Sequence, residues 1–467
     1  MRQEDITEFK DQLRGALIEP TDEQYDKERK VYNAMIDRKP RLIAKCVDVA
    51  DVMTALSFGR KHDVRVSIRG GGHNAGGLGV CDDGLVIDLS PIKYVRVDSA
   101  TGTVRVGGGC TWGDVDHATH AFGLAVPSGI ISTTGVGGLT LGGGMGYLTR
   151  QYGLTIDSLL AADVVTADGR FVVASASENA DLFWAIRGGG GNFGVVTSFM
   201  FQAHPVKMVC AGPMLWHLDQ AADVMKWYRD FILKAPKELN GFFAFLTVPP
   251  GPPFPEDLHF KKMCGIVWCY NGSPEKANEI LEPLRKFRRP AFEFFVPMPF
   301  PMLQGMFDGL YPPGLQWYWK ADFVKELSDE AIALHIKHGS ELPSLHSTMH
   351  LYPIDGAAHK PKKDETPWSY RDANWSKVIV GVDPDPANRD NITAWARDYW
   401  AALHPYAAGG AYVNFMMDGE GEDRIRATYG DNYERLARTK AKYDPDNFLR
   451  VNQNIQPATS AKELVSR

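Results

Sequence analysis

The run IRGGGHNAGGLG, residues 68–79, follows the alternating stretch VRVSIRG (64–70) and sets six glycines into the eleven residues from Arg69. A tight turn needs one or two glycines, so six describe a loop that brings bare backbone against something. Several N–H groups turned inward in such a loop form a concave anion site without any helix, and a diphosphate suits it. His73 stands inside this loop. An imidazole flanked by glycines either caps a backbone group or holds a nucleophilic nitrogen open beside a ligand, and the residues alone leave both readings standing.

Outward from this loop, SGIISTTGVGGLTLGGGMGYLTRQYGL (128–154) packs seven glycines into residues 135–146, just behind the hydroxyls of Ser132, Thr133 and Thr134. IRGGGGNFGVVTSFMF (186–201) contains a formal GxGxxG at Gly189, Gly191 and Gly194. It runs into VVTSFMF, which reads as a strand, whereas the dinucleotide fingerprint opens a helix, so the match is rejected. No Walker A sequence occurs, which removes the main support for nucleotide hydrolysis. Of the 46 glycines, 30 lie in residues 1–194, whereas nine of the eleven tryptophans lie after residue 205. Close backbone approach and large aromatic walls therefore belong to different parts of the chain, a cofactor half followed by a substrate half.

At 467 residues the chain exceeds one ordinary core, so two domains are expected. The spacing predicts a helix over 48–61 and strands over 64–70, 85–90 and 103–109, with a hairpin over 163–175 turning at Asp168-Gly169. Further on, helices are expected at 219–234 and 389–403 and strands at 241–248, 345–352, 376–382 and 411–415. A net charge of -6 offers no basic field for nucleic acid or an anionic membrane. The basic run LRKFRRP (284–290) reads as a solvated helix end. Six scattered cysteines make no disulfide framework, and the spacing of Cys264 and Cys269 does not suit zinc; no metal is expected. Residues 1–18 lack an apolar leader core and no stretch reaches membrane-span length, so a cytoplasmic protein is expected. Nothing in the sequence sets an oligomeric state.

RGGGHN (69–74), TTGVGGLTLGGGMG (133–146), RGGGGNFGVV (187–196) and the terminal FLRVNQNIQP (448–457) together resemble the FAD-linked oxidases of the vanillyl-alcohol oxidase superfamily, in the branch similar to berberine bridge enzyme and its bacterial relatives. The resemblance implies an α+β protein in which a two-part, PCMH-type FAD-binding domain (1–206) precedes a substrate domain (207–440) with an antiparallel sheet backed by helices. A C-terminal segment (441–467) would return to the FAD domain. The four motifs nominate cofactor contacts: Arg69, Gly70, Gly71, Gly72, His73, Asn74 and Gly79 in the first, and Ser132, Thr133, Thr134, Gly137, Gly138, Gly143 and Gly144 in the second. Gly194, Val195 and Val196 follow from the third, and Asn452, Gln453 and Asn454 from the tail. In this family the loop histidine bonds covalently to the flavin 8α-methyl carbon, and His73 is its match. Many relatives add a cysteine bond from a GxCPTVGVGG-like segment; here GIISTTGVGG places Ile131 at that position, so a single attachment is expected, with Cys81 and Cys110 as packed thiols.

Hydride transfer from a C–H bond to a flavin also requires a proton to depart, so a base or strong acceptor is expected near the donor carbon. GAYVNFMMD (410–418) resembles the family's YxN segment, with Phe415 where plant members often carry a second tyrosine. On a strand Tyr412 and Asn414 would share a face and Phe415 would point away. Tyr412 is therefore the first candidate for proton transfer, beside Asn414. Tyr147, Tyr370 in TPWSYRD (366–372), and the equal-parity pair His350 and Tyr352 are further candidates; Trp317 and Trp319 are candidates for a pocket wall. Thr134 occupies the family position linked to oxygen access, and its small side chain is compatible with O2 as acceptor. The expected activity is oxidation of an alcohol, sugar or ring carbon of a small-molecule substrate with electrons passed to O2. A flavin dehydrogenase with another acceptor and a non-catalytic FAD-binding protein are the competing readings.

Overall fold

The computed structural model describes residues 2–458; residues 459–467 of the expected returning segment lie outside the described residues. Glycine-rich loops need rigid elements to hold them, and two small sheets supply these. The first orders its strands Ala16–Ile18, Leu42–Lys45, Leu85–Asp88, Val66–Arg69, with the last three parallel. Parallel strands bury both faces, and all four residues of Leu85–Asp88 are buried. Helix Val49–Lys61 crosses between two of them; Asp48 caps it by accepting from the backbone of Ala50 and Asp51. The chain leaves Val66–Arg69 directly into the first glycine loop.

The second sheet is antiparallel and five-stranded, in the order Val95–Asp98, Thr103–Gly107, Val195–Gln202, Leu159–Val165, Phe171–Ser175. Its central strand Val195–Gln202 begins where the third glycine motif ends, and it is a strand, as expected from VVTSFMF. The hairpin closes at Gly169 with φ +84°, a backbone conformation that glycine adopts without strain.

A third sheet, wholly antiparallel, runs Phe292–Glu293, Met208–His217, Lys262–Tyr270, Leu239–Thr247, Thr348–Pro353, Trp375–Asp383, Gln316–Val324, with Val296–Pro299 also paired to Met208–His217. Alternation along its strands assigns each residue to one of two cores. Phe243, Phe245, Trp268, Met349 and Ile379 pack under helices Ala221–Ile232, Asp329–Gly339 and Arg389–Leu403. Phe242, Ala244, Val267, Tyr352, Val378 and Val380 face the other way and share one continuous core with Phe199, Trp112 and Leu154 of the glycine-rich part. The structure is thus α+β, with the large sheet as the wall between helices and cofactor loops. Among the described residues, no helix is long and apolar enough to cross a membrane. All six cysteines are buried and free, Cys81 and Cys110 among them. In the run 284–290, Arg285 pairs with Glu293 and Arg288 with Asp223 at the surface.

One expected strand is absent. Residues 411–415 form an irregular run with a single 3-10 turn at Val413–Phe415. A strand needs a ladder partner, and pairing with the Gln316–Val324 edge stops at Gly410, whose carbonyl accepts from Phe323 N at 2.9 Å. The chain then leaves the sheet toward the glycine loops. Several strands carried no clear signal of their own in the sequence, Leu42–Lys45 and Val95–Asp98 among them, because four residues are too few to show a period.

Arg150 locks the glycine-rich part to the sheet. It is fully buried, bonds Asp355 at 2.7 Å, and donates to the carbonyls of Ile232, Ala235, Pro236 and Leu239, which close the end of helix Ala221–Ile232. A cation at a helix C-terminus satisfies carbonyls left without intrahelical donors. Arg150→Met is expected to lower the unfolding free energy by about 3 kcal/mol, because it strands buried acceptors. The urea midpoint at unchanged m measures this, and a midpoint equal to the parent's would show that the Lys237–Asp355 bridge at 2.8 Å suffices alone.

Candidate active site

The loops and the large sheet enclose one cavity of about 340 Å³. Residues from the segments 69–74, 78–79, 129–131 and 134–141, with Gly190, Gly191, Asn192, Gly194, Val196, Asn452 and Gln453, contribute one end, and Tyr311, Trp317, Trp319, His350, Tyr352 and Phe415 the other. The glycines divide into two kinds. Gly71 and Gly135 press their loops together, since a Cβ on either would lie 2.4 Å from the other's backbone nitrogen. Gly138 and Gly191 have nothing within 4 Å of a Cβ position, yet both border the cavity. Protein packing explains the first kind; the second leaves bare backbone facing open space in the cavity, where a ligand can lie against it. This is the fit expected of a phosphate-bearing cofactor held by backbone N–H groups.

His73 borders the cavity with its ring stacked on Tyr32, centroids 3.9 Å apart. Nε2 lies 3.0 Å from Thr133 Oγ1, and Nδ1 has no partner among the described residues. Burial holds the imidazole down to about 4, with a hydrogen bond to the Thr133 backbone pulling the other way. At neutral pH His73 is therefore uncharged, with an open lone pair or N–H at Nδ1. Tyr32 itself is pinned by donation to the Tyr311 carbonyl, and Asn33 by bonds to Ala75 O and to both backbone groups of Trp317. The sequence carried no signal for Tyr32 and Asn33, which sit in an unpatterned polar loop.

Tyr412 crosses from the large-sheet edge to the second glycine loop. Its oxygen accepts from Gly144 N at 3.0 Å and from Asn414 Nδ2 at 2.7 Å. The carbonyl of Leu139, 3.1 Å from the same nitrogen, fixes the Asn414 amide orientation. Burial pushes the Tyr412 phenol above its ordinary value, more than the two donors pull it down. With both acceptor positions filled, its own O–H remains free to donate. At rest the Tyr412 phenol is therefore uncharged at neutral pH. Phe415 does not point away, because residues three apart eclipse in a 3-10 turn; its ring meets Tyr412 at 4.8 Å and Trp319 at 5.6 Å.

The tail closes the opposite wall. Asn192 Nδ2 donates to Gln453 O at 3.1 Å and its Oδ1 accepts from Ile455 N at 3.0 Å. Lys440, fully buried, joins Asn192 O, Leu449 O and Asp444 at 2.6–2.9 Å. Asn452 and Gln453 border the cavity, whereas Asn454 does not. Asn192, central to this clasp, hid inside a motif otherwise read for its glycines.

Other expected contacts stand elsewhere. Arg69 borders the cavity, but its guanidinium is spent on Asp88 and the Glu28 and Lys30 carbonyls. Ser132 is bound to Asp308 through both backbone and hydroxyl, which ties its loop to the segment carrying Tyr311. Gly143 and Gly144 lie behind the wall, where a Cβ would strike Trp368 or Thr155, and Val195 yields the cavity side to Val196. Tyr147 is buried off the cavity with its hydroxyl unpartnered, and Tyr370 donates to Ala427 O at 2.8 Å while stacking on Phe323. Gly70, Gly72, Asn74, Gly79, Thr134, Gly137 and Gly194 border the cavity, while Thr133 reaches the site only through His73.

Comparison with known proteins places this site in a family. The family model described as an FAD binding domain matches residues 40–175, and the one described as berberine and berberine like matches residues 411–456. An FAD-linked oxidoreductase of Dictyostelium discoideum is 31% identical over 97% of both chains. The (R)-6-hydroxynicotine oxidase of Paenarthrobacter nicotinovorans is 29% identical over 96% of this chain and 98% of its own. The crystal structure of 6-hydroxy-D-nicotine oxidase from Arthrobacter nicotinovorans superposes with TM-score 0.84 at 25% identity, covering 96% of this chain and 98% of the other. The chain belongs to the berberine-bridge-like family of FAD-linked oxidoreductases.

Two measurements follow from the geometry. Gly138→Ala is expected to leave the melting temperature of flavin-free protein within about one degree of the parent, because nothing in the protein meets the new methyl, while the fraction of purified chain carrying flavin falls; equal flavin content would place the ligand elsewhere. His350 is held down to about 3 by burial. An unfolded histidine takes up a proton below about pH 6.5, so stability is full above that pH and declines as pH falls toward the folded value. In flavin-free protein, His350→Gln is expected to flatten the pH 7 to 4.5 limb of urea stability by about one proton; an unaltered slope would show that His350 titrates freely in the fold.

Proposed function

We propose that this FAD-linked oxidoreductase is an oxidase of a small organic substrate, taking hydride from an alcohol, sugar or ring carbon and passing electrons to O2, with FAD attached by one bond through His73 Nδ1. The observation that carries the reading is the single cavity running from the bare faces of Gly138 and Gly191, past His73, to Tyr412 and the aromatic wall. Among the described residues, the cofactor-binding part comprises 2–206 and 441–458, and 207–440 form the substrate part. When bound, FAD supplies the hydride acceptor and the route for electrons to oxygen.

The chain's own groups do the rest. Thr133 holds Nε2 of His73 and Tyr32 holds the face of its ring, which leaves Nδ1 as the atom presented for the bond. Ile131 borders the cavity where many relatives carry their second attaching residue, and a hydrocarbon side chain makes no such bond. Gly70, Gly72, Gly137, Gly138 and Gly191 offer backbone to the phosphates. Asn452 and Gln453 close the wall. Tyr412, whose oxygen takes hydrogen bonds from Gly144 N and Asn414, would accept the proton the substrate releases with its hydride once its own proton has passed to solvent, and Thr134 keeps the adjoining wall small. An oxidase among the relatives favours O2 as acceptor.

Acid-precipitated protein is expected to remain yellow and fluorescent, with His73→Ala losing its colour to the supernatant; flavin released from the unmodified protein would refute the tether. Turnover that yields peroxide in air supports the oxidase reading. Turnover only with an added dye acceptor would assign a dehydrogenase.

A further inference from the structure

His350 projects from strand Thr348–Pro353 into the cavity, two residues from Tyr352 on the same face. Its Nδ1 lies 2.7 Å from Tyr352 Oη. A single proton is shared there, and acid–base strength decides where it sits. A phenol is a better donor than a neutral imidazole N–H, and an imidazole nitrogen is a better acceptor than a phenol oxygen, so Tyr352 donates to Nδ1. Burial keeps both groups uncharged, holding His350 down and Tyr352 up. The imidazole proton is then left on Nε2, which has no partner among the described residues. The result is one neutral N–H donor of fixed tautomer on the cavity wall.

The surrounding wall is uncharged. Trp317, Trp319, Val378, Val380 and Phe415 flank the pair, and the Thr348 hydroxyl is spent on Phe245 O at 2.7 Å. A carboxylate or ammonium placed here gives up hydration and meets no counter-charge. A polyol leaves most of its hydroxyls against rings and hydrocarbon, each at the cost of an unmade hydrogen bond. A flat ring with one acceptor atom loses least.

We propose that this wall selects an uncharged, planar aromatic substrate bearing a carbonyl oxygen or ring nitrogen, and that His350 is the positioning residue that grips that acceptor through Nε2–H. The proposal rests on the flavoenzyme reading above. Tyr352 acts through His350 by fixing the tautomer.

Flavin-loaded protein is titrated anaerobically with acetophenone, ethylbenzene, benzoate and benzylammonium, following flavin absorbance and tryptophan fluorescence. Acetophenone is expected to bind about five- to ten-fold tighter than ethylbenzene, the value of one neutral hydrogen bond in a dry site, and both ions more weakly than either. In His350→Phe the preference for acetophenone is expected to fall to about two-fold or less with ethylbenzene affinity kept, and His350→Gln, which retains an N–H, is expected to restore part of it. Tyr352→Phe frees the tautomer and is expected to lower the preference in the same direction. Equal binding of acetophenone and ethylbenzene, saturation by neither, an ion that binds tightest, or a preference that survives His350→Phe overturns the proposal. A chain that carries no flavin overturns the underlying reading instead, and the absorbance spectrum shows this before any ligand is added.

Discussion

The approach of two stretches of bare backbone underlies the whole site. Gly71 and Gly135 meet so closely that no side chain fits between their loops, and this contact sets His73 beside Thr133 and opens one cavity between the loops and the large sheet. Backbone pressed on backbone gains little from apolar burial, so the loops depend on their surroundings for rigidity. The parallel strands beneath the first loop, the antiparallel strands beneath the second, and the Ser132–Asp308 clasp provide it. Arg150 then fixes the large sheet at the distance the cavity needs, by holding the end of a helix that packs on the sheet's far face.

The cavity's chemistry follows from what its walls leave unsatisfied. His73, His350 and Tyr412 all present uncharged polar groups at neutral pH, each held by a neighbour that has taken its other hydrogen-bonding position. Arg69, the charged residue on the border, has its guanidinium committed to Asp88 and backbone. The site therefore combines low polarity with a few oriented donors, the arrangement in which a hydrogen bond is strongest.

Much of this was legible in the sequence, and what was not has physical causes. Glycine excess located the loops because a loop that touches a ligand with its backbone cannot hide its composition. It did not separate glycines required by protein packing, such as Gly143 and Gly144, from those facing the cavity, because both demand the same missing side chain. The strand parity argument paired Tyr412 with Asn414 correctly but failed for Phe415, since the ladder ends at Gly410 and a 3-10 turn replaces a period of two with a period of three. Tyr147 and Tyr370 show the commoner fate of a tyrosine near a motif, a place in the core. Tyr32, Asn33 and Asn192 act through contacts far away in sequence, which no local pattern announces.

The clasp of Asn192 with the tail also has a temporal meaning. The loop around Asn192 and the residues that complete its wall, Asn452 and Gln453, stand some 260 residues apart along the chain. A nascent chain therefore holds an open groove until residues 452–455 have emerged, and the cavity becomes a compartment only when they dock.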